Sequence, residues 1–279
     1  MQGEVRAHQI RSLPKLESLA DAEFSVFSQW GEDGILSWLV DVIDPIETTF
    51  VEFGVEDYRE SNTRYLLMTR NWSGLIIDGS AENIAAARSD DIAYKFDLET
   101  VCAFINRDNI AGLISYGGFD GPIGILSVDI DGVDYWVLDR IANQAAIVVV
   151  EYNQIFGAEP VSVPYDPMFI RLEKHWSGMY WGGSLSAFRH LLEGRGYSFD
   201  GANRAGTHGF FIDYTFDQRI DVLLQNRIEW PSKMREVRNQ DGSLAFKRYD
   251  QMKGEIAGLP VVNVITGETV NLFPAVATS

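Results

Sequence analysis

The chain has 279 residues, enough for one large α/β domain with additions or for two small domains. Acids outnumber bases 40 to 23, a formal charge of −17. That balance disfavours nucleic-acid backbones and anionic membranes and suits a neutral or cationic small ligand. No apolar run approaches the roughly 18–20 residues that span a bilayer, and MQGEVRAHQIRSLPKLESLA has no apolar leader core, so the expectation is a soluble cytoplasmic protein without membrane insertion. The single cysteine, Cys102, excludes an internal disulfide framework and a multi-cysteine metal site. Its setting in VCAFI predicts a packing role in a helix.

Residues 1–26 read as a polar arm with a short helix. From Ser28 the pattern turns helical, with Trp30, Ile35, Trp38, Leu39, Val42 and Ile43 on one face, and Asp44-Pro45 stops it. Strands are predicted at 49–54, 74–79, 92–97, 123–129 and 146–152. Helical patterns lie between them near 62–70, 81–89, 99–114 and 133–143. Such alternation implies βαβ units in a parallel sheet with helices on both faces, and runs such as IVVV suit strands buried on both sides. FGAEPVSVPYDPMF reads as a long loop, SLSAFRHLLEGRGY as a helix, and YSFDGAN and HGFFIDY as a hairpin joined by RAGT. Five βα units, a helix and a terminal hairpin give the order of the class I methyltransferase fold, a Rossmann-like α/β sheet whose last strand runs antiparallel. That domain is expected over 27–216. Residues 217–279 read as an appendage packed on it, with a strand pair around VVNVITGETVNLF and an interface for a homo-oligomer.

Open α/β sheets bind ligands beyond the carboxyl ends of their strands. After the first strand stands Glu52-Phe-Gly54-Val-Glu56-Asp57. Gly54 permits close backbone approach, yet a pyrophosphate turn would carry more glycines and fewer acids. S-adenosylmethionine has no phosphate, and its sulfonium and ammonium groups suit carboxylates. Asp78 ends the second strand, about two dozen residues past Gly54, where an acid accepts ribose hydroxyls or caps the next helix, although Ser80 is the better-placed cap. Asp97 is expected after the third strand, facing an adenine amino group or capping a helix. Beyond the fourth and fifth strands, Asp129, Asp131, Glu151 and Asn153 supply hard oxygen donors for Mg²⁺, Mn²⁺ or Ca²⁺; alternatively Asp129 and Asp131 are turn and capping residues and Glu151 contacts the sulfonium end of the cofactor or the substrate. A metal there would lower the pKa of an acceptor hydroxyl.

FSQWGEDGIL (27–36), FVEFGVEDYRESNT (50–63), NWSGLIIDGS (71–80) and LSVDIDGVDYWVL (126–138) resemble the FkbM-type S-adenosylmethionine-dependent methyltransferases. EYN, VPYDP, WGGSLSAF and HGFFI are similar to a bacterial branch linked to surface polysaccharide or natural-product pathways. The resemblance spans about residues 27–214. It implies cofactor contacts at Glu52, Gly54, Asp78 and Asp129 and from Ser61-Asn62-Thr63. It implies a metal at Asp129, Glu151 and Asn153, although Tyr152 separates a pair that related enzymes keep adjacent. A hydroxyl on a carbohydrate is the acceptor it suggests.

Among histidines, His175 lies in RLEKHWSGMYWGG, a segment placed to cover the acceptor, and His208 opens the final strand. Both are candidate bases beside Asp129, whereas His190 reads as a surface residue. Trp176, Tyr180 and Trp181 offer a stacking surface for a sugar or simply pack a lid. Two other functions fit parts of the pattern. Asp129-Ile-Asp131 is an Asp-x-Asp motif of metal-dependent glycosyltransferases, and a non-catalytic binding protein could keep the same fold.

Overall fold

The computed structural model describes residues 2–232 and 235–273. Its strands are β1 (Thr49–Phe53), β2 (Ser73–Asp78), β3 (Leu98–Cys102), β4 (Ile123–Val128), β5 (Ala145–Glu151), β6 (Val161–Ser162), β7 (Tyr197–Ala202), β8 (His208–Asp213), β9 (Glu236–Arg238), β10 (Leu244–Phe246), β11 (Pro260–Asn263) and β12 (Thr269–Asn271). Its α-helices are α1 (Gln2–Arg11), α2 (Glu32–Ile43), α3 (Arg64–Arg70), α4 (Ala81–Ser89), α5 (Ile92–Lys95), α6 (Ile110–Tyr116), α7 (Asp134–Leu138), α8 (Arg171–Lys174), α9 (Leu185–Glu193), α10 (Asp217–Leu223) and α11 (Tyr249–Ile256).

Among the described residues, seven strands form one sheet in the order β3-β2-β1-β4-β5-β8-β7. β1 to β5 run parallel, and β8 lies antiparallel between β5 and β7. The short turn after β7 joins neighbours, which forces that reversal, whereas the parallel strands need crossovers. This is the Rossmann-like methyltransferase order that the sequence predicts. Side chains alternate across the strands, so paired neighbours divide between two cores. Phe50, Ile76, Ile125, Ile147 and Phe210 pack on the α2 face. Val51, Ile77, Leu126, Val148 and Phe211 pack on the other.

The third strand differs from its predicted place. Residues 92–95 make a single helical turn, started by the Asp90 carboxylate accepting from Ile92 N at 3.0 Å, and LETVC forms β3 instead. Thr100 and Val101 are buried there, while Tyr94 is 74% exposed. The register therefore moves, and the following helix shrinks from 99–114 to α6. Cys102 ends the edge strand exposed, not packed in a helix. At the other end of the chain's first helical pattern, α2 begins at Glu32, leaving Trp30 outside it and 40% exposed.

The expected terminal strand pair forms as β11–β12, and β11 also pairs with β6. Ile220 and Leu224 join the α2-side core, and Val237, Met252, Ile256 and Val261 the opposite one. Among the described residues no helix is long and apolar enough to cross a membrane.

Asp200 on β7 is fully buried, with Oδ1 accepting from Arg227 Nε at 2.9 Å and Oδ2 unpartnered. Burial pushes its pKa up to about 7 despite the opposing guanidinium, with Asp217 adding to the rise. An acid raised on folding stabilises the fold fully below its unfolded pKa, 3.8, and that contribution is lost as pH rises through about 7. Asp200→Asn keeps the Arg227 acceptor and removes the titration. Urea melts from pH 4.5 to 7.5 should show its stability loss smaller than wild type's, by at most about 4 kcal/mol.

Candidate functional site

The loops past β1, β2 and β4 are tied down by buried carboxylates. Glu52, near the end of β1, accepts from Asn62 N at 2.8 Å, from Thr63 N at 3.1 Å, and from the Thr63 hydroxyl. Burial lifts its pKa to about 7 even against those donors. This clamp pins Ser61-Asn62-Thr63 at the start of α3, and the Asn62 amide reaches Ser127 Oγ at 3.1 Å. Between them the backbone takes left-handed conformations at Gly54, Glu56 and Tyr58 (φ 68°, 47° and 63°). Gly54 is needed for a close approach: a Cβ there would stand 1.7 Å from the carbonyl oxygen of Asp129. The ends of β1 and β4 thus touch through this glycine.

Asp78 closes β2. Its Oδ2 accepts from Glu56 N at 3.0 Å and its Oδ1 from Ser80 N at 2.7 Å. Ser80 caps α4, as its sequence position suggests. Beside Asp78 opens a cavity of about 230 Å³, walled by Ile77, Phe104, Ile105, Ile130, Val133 and Phe169.

A second cavity, about 250 Å³, shares Gly54, Glu56 and Asp131 with the first and runs over the ends of β4 and β5. Its walls carry Glu52, Asn62, Asp129, Glu151, Arg171 and His208, with Trp30 at the mouth. Oxygens of Asp129, Asp131 and Glu151 all lie within 4.8 Å of one another. Unit charges at that separation repel by about 3 kcal/mol at an effective dielectric near 20. Burial, then Asp129 and Asp131, accordingly drive the Glu151 pKa well above the usual carboxylate range. The Arg171 guanidinium pairs with Asp131 and covers the Trp181 ring at 4.8 Å. Asp134, whose pKa burial lifts to about 7, holds the Asp131 loop by accepting from Ile130 N at 2.7 Å and Gly132 N at 2.9 Å.

His208 pairs across the strands with Glu151 and is only 6% exposed. Its Nδ1 is 3.0 Å from Glu32 Oε1 and its Nε2 is 3.6 Å from Asp129 Oδ2. Burial lowers its pKa, but the carboxylates of Glu32 and Asp129 more than reverse this and raise it to about 10. The ring is therefore a cation held between carboxylates in this form, poorly suited to the role of free base. Glu32, fully buried, also accepts from Asn203 Nδ2 at 2.7 Å and Trp30 N at 2.9 Å. Burial raises its pKa and His208 brings it below the ordinary value.

Three predicted residues stand elsewhere. Asp97 precedes β3, exposed at the amino edge of the sheet, so it does not face an adenine; its carbonyl receives Gly74 N. The shifted third strand is the reason, and Phe104 and Ile105 occupy the place foreseen for it. Asn153 turns its amide to the carbonyls of Met179 and Trp181 at 2.9 and 3.0 Å and its oxygen to Ile155 N, and it does not line the acidic cavity. His175 bonds Ser177 Oγ at 2.7 Å, lies beside the Trp176 ring, and lines neither cavity. His190 is exposed, as predicted. The expected aromatic platform packs inward: Tyr180 bonds the Pro260 carbonyl, and Arg171 covers Trp181. Glu32 and Arg171 carry no site reading in the sequence, and Trp30 reads there only as part of a helix face. The acidic pair Glu32-Asp33 at a helix start was the available signal for the first, and it reads as ordinary helix-end charge until burial is known.

No family model matches the chain, and no curated protein matches it. Among solved structures, the chain is similar to several at low identity. One is a putative caffeoyl-CoA O-methyltransferase from Staphylococcus aureus (11% identity, 76% of this chain and 92% of that one, TM-score 0.45). Another is an O-methyltransferase from Bacillus cereus in complex with S-adenosylhomocysteine (15%, 75% and 89%, TM-score 0.43). A third is the pyocyanin biosynthetic protein PhzM (14%, TM-score 0.37), where the match spans 59% of this chain and half of that one, 50%. The strand order itself, rather than these likenesses, defines the fold.

Gly54→Ala should lose about 2 kcal/mol or more in urea melts, because φ and contact both oppose a side chain. Gly242→Ala, in a turn with open space around it, tests the same left-handed backbone without the contact and should lose less.

Proposed function

We propose that this chain is an S-adenosylmethionine-dependent methyltransferase that methylates a hydroxyl of a small-molecule acceptor, a sugar by the FkbM resemblance. One observation carries the reading. The amides that would cradle a pyrophosphate past β1 and β2 are already engaged: Glu56 N and Ser80 N by Asp78, Asn62 N and Thr63 N by Glu52. What the cleft offers instead is an excess of carboxylate: Glu52, Glu56, Glu60, Asp129, Asp131 and Glu151 line it, against the cations Arg171 and His208. Such a surface repels a diphosphate and attracts a cation.

When bound, S-adenosylmethionine supplies the sulfonium methyl group for an in-line displacement. Asp78 stands where its oxygens can accept ribose hydroxyls, and Phe104, Ile105, Ile130 and Val133 give an apolar slot for a base. Glu52 keeps Asn62 and the α3 start fixed beside Gly54, so the cofactor end of the cleft is formed in advance. Asp129 lines the second cavity and in this reading takes the acceptor's proton, with His208 fixing its orientation. Trp30 is the exposed indole at the mouth and suits a sugar face. A divalent metal among Asp129, Asp131 and Glu151, which the resemblance implies, belongs to the same reading.

Calorimetric titration with S-adenosylhomocysteine should show one saturable site. Asp78→Ala should weaken it by about tenfold or more, roughly 1.4 kcal/mol. Uridine diphosphate with Mn²⁺ should give no comparable heat. Binding of the diphosphate but not of the homocysteine would replace the reading with a glycosyltransferase, and binding of neither would leave a non-catalytic protein.

A further inference from the structure

The segment after β5 and α11 of the appendage enclose a further cavity of about 80 Å³, with Tyr152, Met179, Trp181, Tyr249 and Met252 among its walls. Tyr152, Met179, Trp181 and Met252 are buried, and Tyr249 is 38% exposed. The chamber adjoins the acidic cavity, because Glu151 and Arg171 line both. Arg171 pairs with Asp131 in the acidic cavity and covers the Trp181 ring of the chamber at 4.8 Å.

The two spaces differ in chemistry. The acidic cavity presents carboxylates, whereas the polar groups around the chamber are largely spent on one another. Asn153 engages the Met179 and Trp181 carbonyls and Ile155 N. Gln154 bonds Trp230 O, Ser232 N and the Tyr152 hydroxyl. The Tyr249 hydroxyl donates to the Gln154 carbonyl at 3.0 Å, and Thr207 Oγ1 accepts from Asn203 Nδ2 at 2.9 Å. A polyhydroxyl group entering this space gives up water and regains few hydrogen bonds, while an apolar group has none to lose. Three aromatic rings and two thioethers also make favourable contacts with such a group. Size is limited as well. One water-sized group needs about 10–15 Å³ of cavity, so about 80 Å³ has room for roughly six heavy atoms, a single ring.

We propose that this chamber is a recognition subsite of the acceptor, taking a small apolar substituent no larger than one ring, while the acceptor's hydroxyl lies past Glu151 and Arg171 beside Asp129. The acceptor is then a hydroxyl compound, sugar or otherwise, that carries such a group. Its role as an acceptor subsite rests on the methyltransferase reading; binding of the apolar group does not. The wall that α11 contributes gives residues 217–279 a part in selecting the acceptor.

The test titrates the full chain against 4-fluorobenzyl alcohol, a single ring with a hydroxyl one carbon away, and follows broadening of its fluorine resonance. The polar control is 2-deoxy-2-fluoroglucose. The ring alcohol should bind saturably below about 10 mM, and the sugar at least about tenfold more weakly. Met252→Trp, which fills the chamber, should weaken the ring alcohol about tenfold or more. Tyr249→Ala, at the half-exposed wall, should weaken it severalfold and serves if the first variant does not fold. No saturable binding of the ring alcohol, equal binding of the sugar, or binding unchanged in every variant that folds overturns the subsite. Neither residue lines the compartment beside Asp78, so S-adenosylhomocysteine titrated into the same proteins separates the two ideas. Its binding without that of the ring alcohol sinks only the subsite. The converse sinks the methyltransferase reading and, with it, the assignment of the chamber to an acceptor.

Discussion

The architecture of the cleft depends on one repeated interaction, a buried carboxylate that accepts hydrogen bonds from backbone amides. Asp33 takes Val26 N, Phe27 N and Ser28 N, Glu52 takes Asn62 N and Thr63 N, Asp78 takes Glu56 N and Ser80 N, and Asp134 takes Ile130 N and Gly132 N. Each knot fixes a loop at the carboxyl edge of the sheet, where irregular backbone would otherwise need water. Burial raises the pKa of Asp33 to about 6 and those of Glu52 and Asp134 to about 7, which measures how far desolvation opposes ionisation even with two or three amide donors present.

That device has an electrostatic consequence. Amides engaged by carboxylates are not free for an anionic ligand. The acids that hold no loop, Asp129, Asp131 and Glu151, are left facing one another across the ends of β4 and β5. Their repulsion is answered on two sides by side chains that arrive from distant segments: His208 from the reversed strand and Arg171 from α8. Insertion of β8 beside β5 therefore does more than finish the sheet. It delivers an imidazole to the same edge as the carboxylates and, through Glu32, ties that edge to the first turn of α2.

Much of this was legible in the chain. The alternation of apolar runs with helical spacing gave the parallel sheet, and a four-residue link between YSFDGAN and HGFFIDY gave the reversed strand, because short links join only antiparallel neighbours. Gly54, Asp78, Asp129 and Glu151 could be placed at strand ends by counting. Where counting went wrong it did so at β3, the edge strand. An edge strand buries few residues, so its pattern is weak, and LETVC carries no stronger apolar run than IAYKFD. The error carried Asp97 to the wrong end of the sheet. Asn153 failed for a different reason: a side-chain amide after a strand can bind a ligand or hold a loop, and only the positions of Met179 and Trp181 decide between them.

Local pattern by itself determined the class of fold and the carboxylates that stand at the strand ends, since these follow from hydrophobic period, link length and counting along the chain. Tertiary structure alone decided which acids hold loops and which face the cleft. It also decided that Glu32 lies behind His208, 176 positions away in the chain, and that Arg171 covers Trp181. Those outcomes depend on contacts between segments far apart in sequence and on the loss of water around them, and neither leaves a mark on the local pattern of residues.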